Sequence, residues 1–143
     1  MKQIRNSVFE TNSSMTHSLV VCKSDNYDEW TKGTLMFRFA DETFVDAETA
    51  RKENAKVLRE RLECYKKSGY DNGKLNEESI TKYENGELKD RWALFSRWDI
   101  DYFFITYDQF TDYVWNDNYE LVGETSKVDG MNLTVFGYYG YDG

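Results

Sequence analysis

The residues best equipped for chemistry gather near the start of the chain. Phe9-Glu10-Thr11-Asn12-Ser13-Ser14-Met15-Thr16-His17-Ser18 holds five hydroxyls, one carboxylate, one amide and the only histidine of the sequence. Two reactions suit such a set. His17 as general base would activate Ser13, Ser14 or Thr16, or the hydroxyls and backbone amides would cradle a phosphate. Nucleophilic catalysis needs base and hydroxyl within hydrogen-bond reach, and four residues of extended chain span ~13 Å. Ser13 and His17 therefore meet only across a tight turn, and no G-x-S-x-G elbow or Walker loop is present to set one. The structural alternative is a turn whose Ser, Thr and Asn side chains bond their own backbone.

A second set of chemistry-bearing residues lies at the other end. Residues 1–98 contain 17 acids and 17 Lys or Arg, whereas residues 99–143 contain nine acids against Lys127 alone, which is the whole net charge of −8. The same last third holds 12 of the 24 aromatic residues. Asp108 and Asp112 stand four apart, with Trp115 one turn further, so a helix puts all three on one face. Asp117, Glu120 and Glu124 follow. Like charges at i,i+4 cost roughly 0.2–0.5 kcal/mol, which an external cation would offset. One reading is a solubilising surface. The sharper one is a partner-binding surface on which carboxylates imitate a phosphate backbone and aromatics offer cation–π contacts to arginine.

Direct nucleic-acid binding is disfavoured, because phosphate contact needs a basic patch. The nearest candidate, from Arg51 to Lys67, is interleaved with Glu48, Glu53, Glu60 and Glu63 and reads as a salt-bridged helix face. One histidine and two distant cysteines make no zinc ligand set. Asp99-x-Asp101 alone is a weak Mg²⁺ signal. No metal and no cofactor is expected. Cys22 and Cys64 read as small buried apolar groups, and no disulfide is expected.

The elements that must position these residues follow from periodicity. Residues 3–9 and 17–23 read as short strands around the polar turn at 10–16, and residues 25–32 as a short helix ended by Gly33. Residues 34–39 alternate like a strand. Asp46 caps a long helix whose core face runs Ala47, Ala50, Asn54, Val57, Leu58, Arg61, Leu62 and Tyr65, with Gly69 ending it. A short helix at 77–83 is followed by an expected amphipathic helix at 88–98 with Leu88, Trp92, Phe95 and Trp98 on one side. Residues 102–105 read as a strand, and Thr106 with Gln109 forms a capping box for a helix at 107–116. The ending reads as a hairpin, 119–125 with 132–138, around Asp129-Gly130. For the tail at 137–143 an edge strand and a loose stacking element both stay open. The expected fold is α+β: a small antiparallel or mixed sheet packed by two or three helices and ending in a β-hairpin. With no proline and ordinary apolar content, residues 1–143 are expected to form a single domain. No apolar run reaches the ~20 residues of a membrane span, and the first residues lack the apolar core of a secretory signal, so the expected location is the cytoplasm.

Val8-Phe9-Glu10-Thr11-Asn12-Ser13-Ser14-Met15-Thr16-His17-Ser18 resembles the N-terminal signature VFETNSSSTHS of small uncharacterised proteins encoded by phages and mobile elements. Met15 stands where that signature has a serine, and the likeness covers about a tenth of the chain. It implies a setting rather than an activity, since accessory phage genes often encode inhibitors of host systems. With the acidic, aromatic last third, the expectation is a non-enzymatic inhibitor of a basic, nucleic-acid-handling host protein. A CRISPR effector nuclease is the most concrete partner, which would make the chain anti-CRISPR-like. Asp108, Asp112, Trp115, Asp117, Glu120 and Glu124 are the expected contacts. The rivals are a small enzyme using Ser13, Ser14 and His17 on a phosphate-bearing substrate, and a structural phage accessory protein.

Overall fold

The computed structural model describes residues 15–70, 73–116 and 119–141. The expected strand at 3–9, most of the polar turn, and the candidate residues Ser13, Ser14 and Asp117 lie outside the described residues. The fold is α+β, and the described residues form five strands in two antiparallel sheets. In chain order the elements are β1 (Met15–Lys23), α1 (Ser24–Thr31), β2 (Leu35–Arg38), β3 (Thr43–Asp46), α2 (Ala47–Ser68), α3 (Glu77–Glu84), a 3₁₀ turn (Arg97–Asp99), α4 (Tyr107–Asn116), β4 (Glu120–Val128) and β5 (Met131–Tyr141). β4 and β5 form the expected terminal hairpin. β1 then adds to the other side of β5, so the sheet order is β1-β5-β4 and the chain's last strand is its central one. This decides the tail as far as Tyr141 in favour of a strand, and a central strand rather than an edge.

The caps form as their residue types dictate. Asp46 accepts from the Thr49 amide at 3.0 Å, and Gly69 closes α2 in the left-handed region at φ 75°. The Asp46 carboxyl is held below its usual range by those Thr49 hydrogen bonds. The interleaved charges of α2 pair partly along the helix, as in Lys52–Glu48 and Lys66–Glu63. Others reach across: Arg59 to Glu77 and Glu84 on α3, and Arg61 to Asp99.

An aromatic cluster fills the space between the two sheets. Trp30 on α1, Phe37 on β2, Phe110 on α4 and Phe136 on β5 are all fully buried, with ring centroids 4.9–5.5 Å from Trp30. Burying an aromatic ring of this kind is a dominant stabilising term, and tilted or edge-on pairs add to it.

Two expected elements fold differently. The strand at 102–105 reduces to one bridge, in which Ile105 exchanges both backbone hydrogen bonds with Phe37 at 3.0 and 2.8 Å. Its neighbour Phe104 turns its amide and carbonyl the other way, onto the Asn54 side chain of α2. The ladder cannot widen, because a side chain already occupies the second edge. The helix expected at 88–98 is replaced by turns and the short 3₁₀ turn. Here the tertiary partners outbid helical backbone bonds. The Arg91 carbonyl accepts from Gln109 Nε2 at 2.6 Å, and the Trp92 indole donates to Asp112; locally, the Ser96 amide donates to Asp99 and caps the 3₁₀ turn. Phe95 is buried and stacks on Phe103 at 4.3 Å, so part of the apolar pattern points inward as read. Trp98 does not, being 74% exposed. The strand β3 at Thr43–Asp46 was not anticipated from the sequence.

The cysteines also differ from expectation: Cys22 is half-buried and Cys64 is exposed on α2. Burial pushes the Cys22 thiol up to about 11. A thiolate-selective reagent at pH 8 should therefore label one site quickly and the other slowly. The fast phase should vanish in Cys64→Ser and persist in Cys22→Ser.

Candidate interaction surface

Within the acidic last third the first helix is α4, whose start is fixed by two hydrogen bonds. The Thr106 amide donates to Gln109 Oε1 at 2.9 Å, and the Gln109 amide donates to Thr106 Oγ1 at 3.0 Å. The same glutamine ties the helix to the preceding segment through Arg91. Phe110, Tyr113 and Val114 turn into the core. Tyr113 packs against Tyr119 and Tyr138, and burial beside the Tyr138 hydroxyl raises its phenol well above the ordinary value. This fixes which side of α4 faces outward: Asp108, Asp112 and Trp115 share it.

The cation that would relieve the Asp108–Asp112 repulsion is supplied by the chain itself. Arg91 Nε donates to Asp108 Oδ2 at 2.7 Å and its Nη1 donates to Asp112 Oδ1 at 2.7 Å. Trp92 Nε1 then donates to Asp112 Oδ2 at 2.6 Å. Asp108 beside it, and then Asp112, keep the Arg91 guanidinium protonated above its usual range. Of the pair, Asp108 remains open to solvent while the Asp112 side chain is only 16% exposed. Two carboxylates and one guanidinium leave a local charge near −1. Trp115, one turn on, is 83% exposed in a fold that buries Trp30 entirely.

Asp112 is therefore a structural anchor as well as a charge. Asp112→Lys sets an ammonium against Arg91 and removes the acceptor of the half-buried Trp92 indole, and a lost acceptor of that kind costs about 1–3 kcal/mol. Its melting temperature should drop clearly in a thermal denaturation series, while Asp108→Lys, at a solvent-facing position, should stay close to the parent.

The remaining acids are elsewhere. Glu120 and Glu124 lie on β4 at positions whose cross-strand partners are Tyr139 and Val135. Their neighbours in register, Leu121 and Gly123, pair with the core residues Tyr138 and Phe136. Alternation along the strand then puts both glutamates on the side of the sheet away from α4. Glu120 accepts from the Tyr139 hydroxyl, and Glu124 Oε2 is buried with no hydrogen-bond partner among the described residues. The structure thus joins Asp108, Asp112 and Trp115 and separates them from Glu120 and Glu124. Asp99 is engaged by Arg61 at 3.3 Å, and no group of three His, Cys, Asp or Glu among the described residues is placed to hold a metal ion.

At the N-terminal segment, the strand begins at Met15, two residues before the expected boundary, and backbone pairing sets His17 opposite Tyr139. Sequence reasoning missed Arg91, Trp92 and the second role of Gln109. A helix assigned to 88–98 concealed them, since only the tertiary arrangement brings this segment against α4. No described helix is long and apolar enough to cross a membrane. Comparison with protein-family models, with curated proteins and with solved structures finds no match for this chain.

Proposed function

We propose that this chain acts by binding rather than by catalysis, as an inhibitor that engages a basic, nucleic-acid-handling host protein through the outward side of α4. The observation that carries the reading is Trp115, an indole held almost wholly in solvent on a helix whose other side is core, one turn from the clamped carboxylates. Tryptophan is enriched among the residues that dominate binding energy at protein interfaces. With Asp108 beside it, the patch suits an arginine of the partner, the ring taking the guanidinium face and the carboxylate its edge. A CRISPR effector nuclease remains the leading partner class, because its nucleic-acid channel offers such arginines; the phage-like N-terminal signature supports that setting. We take the surface to include Asp108, Trp115 and the Arg91-clamped Asp112, and leave out Glu120 and Glu124 because they lie on the other side of the sheet.

The test is inhibition of DNA cleavage by a panel of purified CRISPR effector nucleases at low and high salt. Inhibition that weakens with salt is expected. Trp115→Ala should raise the inhibitor concentration needed by about 30-fold, the equivalent of the ~2 kcal/mol of a hot-spot aromatic. No inhibition of any panel member, or full potency in Trp115→Ala, would overturn the proposal.

A further inference from the structure

On the flank of α2 lies a cleft of about 510 Å³, within the size range of small-molecule sites. Its charged lining opposes the sign of the chain. Lys32, Arg51, Lys89 and Arg91 face Asp90 and Asp108, a balance of +2 in a protein of net charge −8. Arg91 is taken by its clamp and Lys32 by an exposed pair with Glu29. Arg51 and Lys89 are different: neither has a carboxylate partner among the described residues, whereas Arg59 and Arg61 on the same helix both do.

Arg51 is also aimed. It is half-buried, and its Nε donates to the Glu84 carbonyl at 3.3 Å, where α3 ends. Its Cζ sits 3.4 Å from the position a side chain at Gly86 would take, and Gly86 adopts φ +77°. The glycine thus leaves room for the guanidinium against the turn, while the Nε bond holds its plane. The two terminal nitrogens keep their donors unpaired among the described residues, in the fork geometry that matches carboxylate or phosphate. Beyond this head the wall turns apolar, with Met36, Ala47 and Leu88. A cation held half-buried without a counter-charge is costly unless an anion joins it.

We propose that this cleft binds a small organic anion, its phosphate or carboxylate head on Arg51 and Lys89 and its apolar or aromatic body over Met36, Ala47 and Leu88. The cleft borders the Trp115 patch and shares Arg91 and Asp108 with it, but its anion head rests on Arg51 and Lys89 and needs no protein partner, so its test does not depend on the inhibitor reading.

Isothermal titration of the full chain with phenyl phosphate, adenosine monophosphate and benzoate separates the two head groups. Phenol and inorganic phosphate separate the head from the body. At least one charged ring compound is expected to bind with a Kd below about 1 mM, with phenol and inorganic phosphate at least about tenfold weaker. Arg51→Lys keeps the charge and loses the fork, and should weaken the best probe about tenfold; Lys89→Ala, at an exposed position without a partner, should weaken it several-fold with an unchanged melting temperature. Absence of binding by all three charged probes, equal binding of inorganic phosphate, or indifference to both substitutions would overturn the site.

Discussion

Gly137→Ala is expected to be the most damaging single-methyl change in the protein. Gly137 sits in the middle of β5, paired with Leu19 of β1 on one side and Val122 of β4 on the other. A Cβ there would lie 1.9 Å from the Ser18 carbonyl oxygen and 2.9 Å from its carbon, both backbone atoms of the adjacent strand. No rotamer relieves that overlap, so the strands must part or the ladder must slip. Its φ of 156° adds a conformation that residues with side chains rarely adopt. The loss should be at least about 3 kcal/mol, equivalent to a melting temperature lower by on the order of 10 °C. Gly123 of β4 is the control. A Cβ there meets only the Tyr27 hydroxyl at 3.8 Å, an ordinary contact, and Gly123→Ala should stay within about 0.5 kcal/mol of the parent. Thermal melts followed by circular dichroism decide both, and a Gly137→Ala protein as stable as the Gly123→Ala one would contradict the tight β1–β5 approach.

The second large effect is expected at Asn54, which is 1% exposed. Its Nδ2 donates to the Phe104 carbonyl at 2.8 Å and to the Tyr83 hydroxyl oxygen at 2.8 Å, while its Oδ1 accepts the Phe104 amide at 2.9 Å. One side chain thus imitates a strand edge and pins the 103–105 segment between α2 and β2. Asn54→Ala leaves a buried amide and a buried carbonyl unpaired, at about 1–3 kcal/mol each, so a loss of roughly 3 kcal/mol is expected. Asn54→Asp should be no better, since a carboxylate keeps the acceptor, loses both donated bonds and brings a charge into the core. A spectroscopic readout separates this role from simple cavity formation. Tyr83 is pushed up to about 12 mainly by burial, and the hydrogen bond from Asn54 acts in the opposite direction by stabilising its phenolate. Removing that bond should move the Tyr83 titration still higher in pH. A Tyr83 titration that falls or does not move in Asn54→Ala would show that the bond does not form.

Much of the fold was legible because its signals are local. The Asp46 cap, the long helix to Ser68, the Thr106–Gln109 box and the hairpin around Asp129-Gly130 each rest on residues a few positions apart, where capping and turn chemistry act. The failures lie where a distant partner supplied the hydrogen bonds. Leu88, Trp92 and Phe95 have helical spacing, yet Gln109 and Asp112 hold that segment in turns. The 102–105 run has strand character, yet Asn54 takes the backbone groups that a second strand would need.

The candidate site divides in the same way. By itself the sequence determined that the negative charge is confined to residues 99–143, and that Asp108, Asp112 and Trp115 share one helical face, because composition and a 3.6-residue period need no tertiary information. Only the tertiary structure decided what that face offers. It brought Arg91 and Trp92 onto the carboxylates, left Trp115 in solvent, and set Glu120 and Glu124 on the other side of the sheet. The reason is physical: a carboxylate's free charge depends on which cation stands within about 3 Å, and for residues 17 or 21 positions apart that distance is set by packing alone.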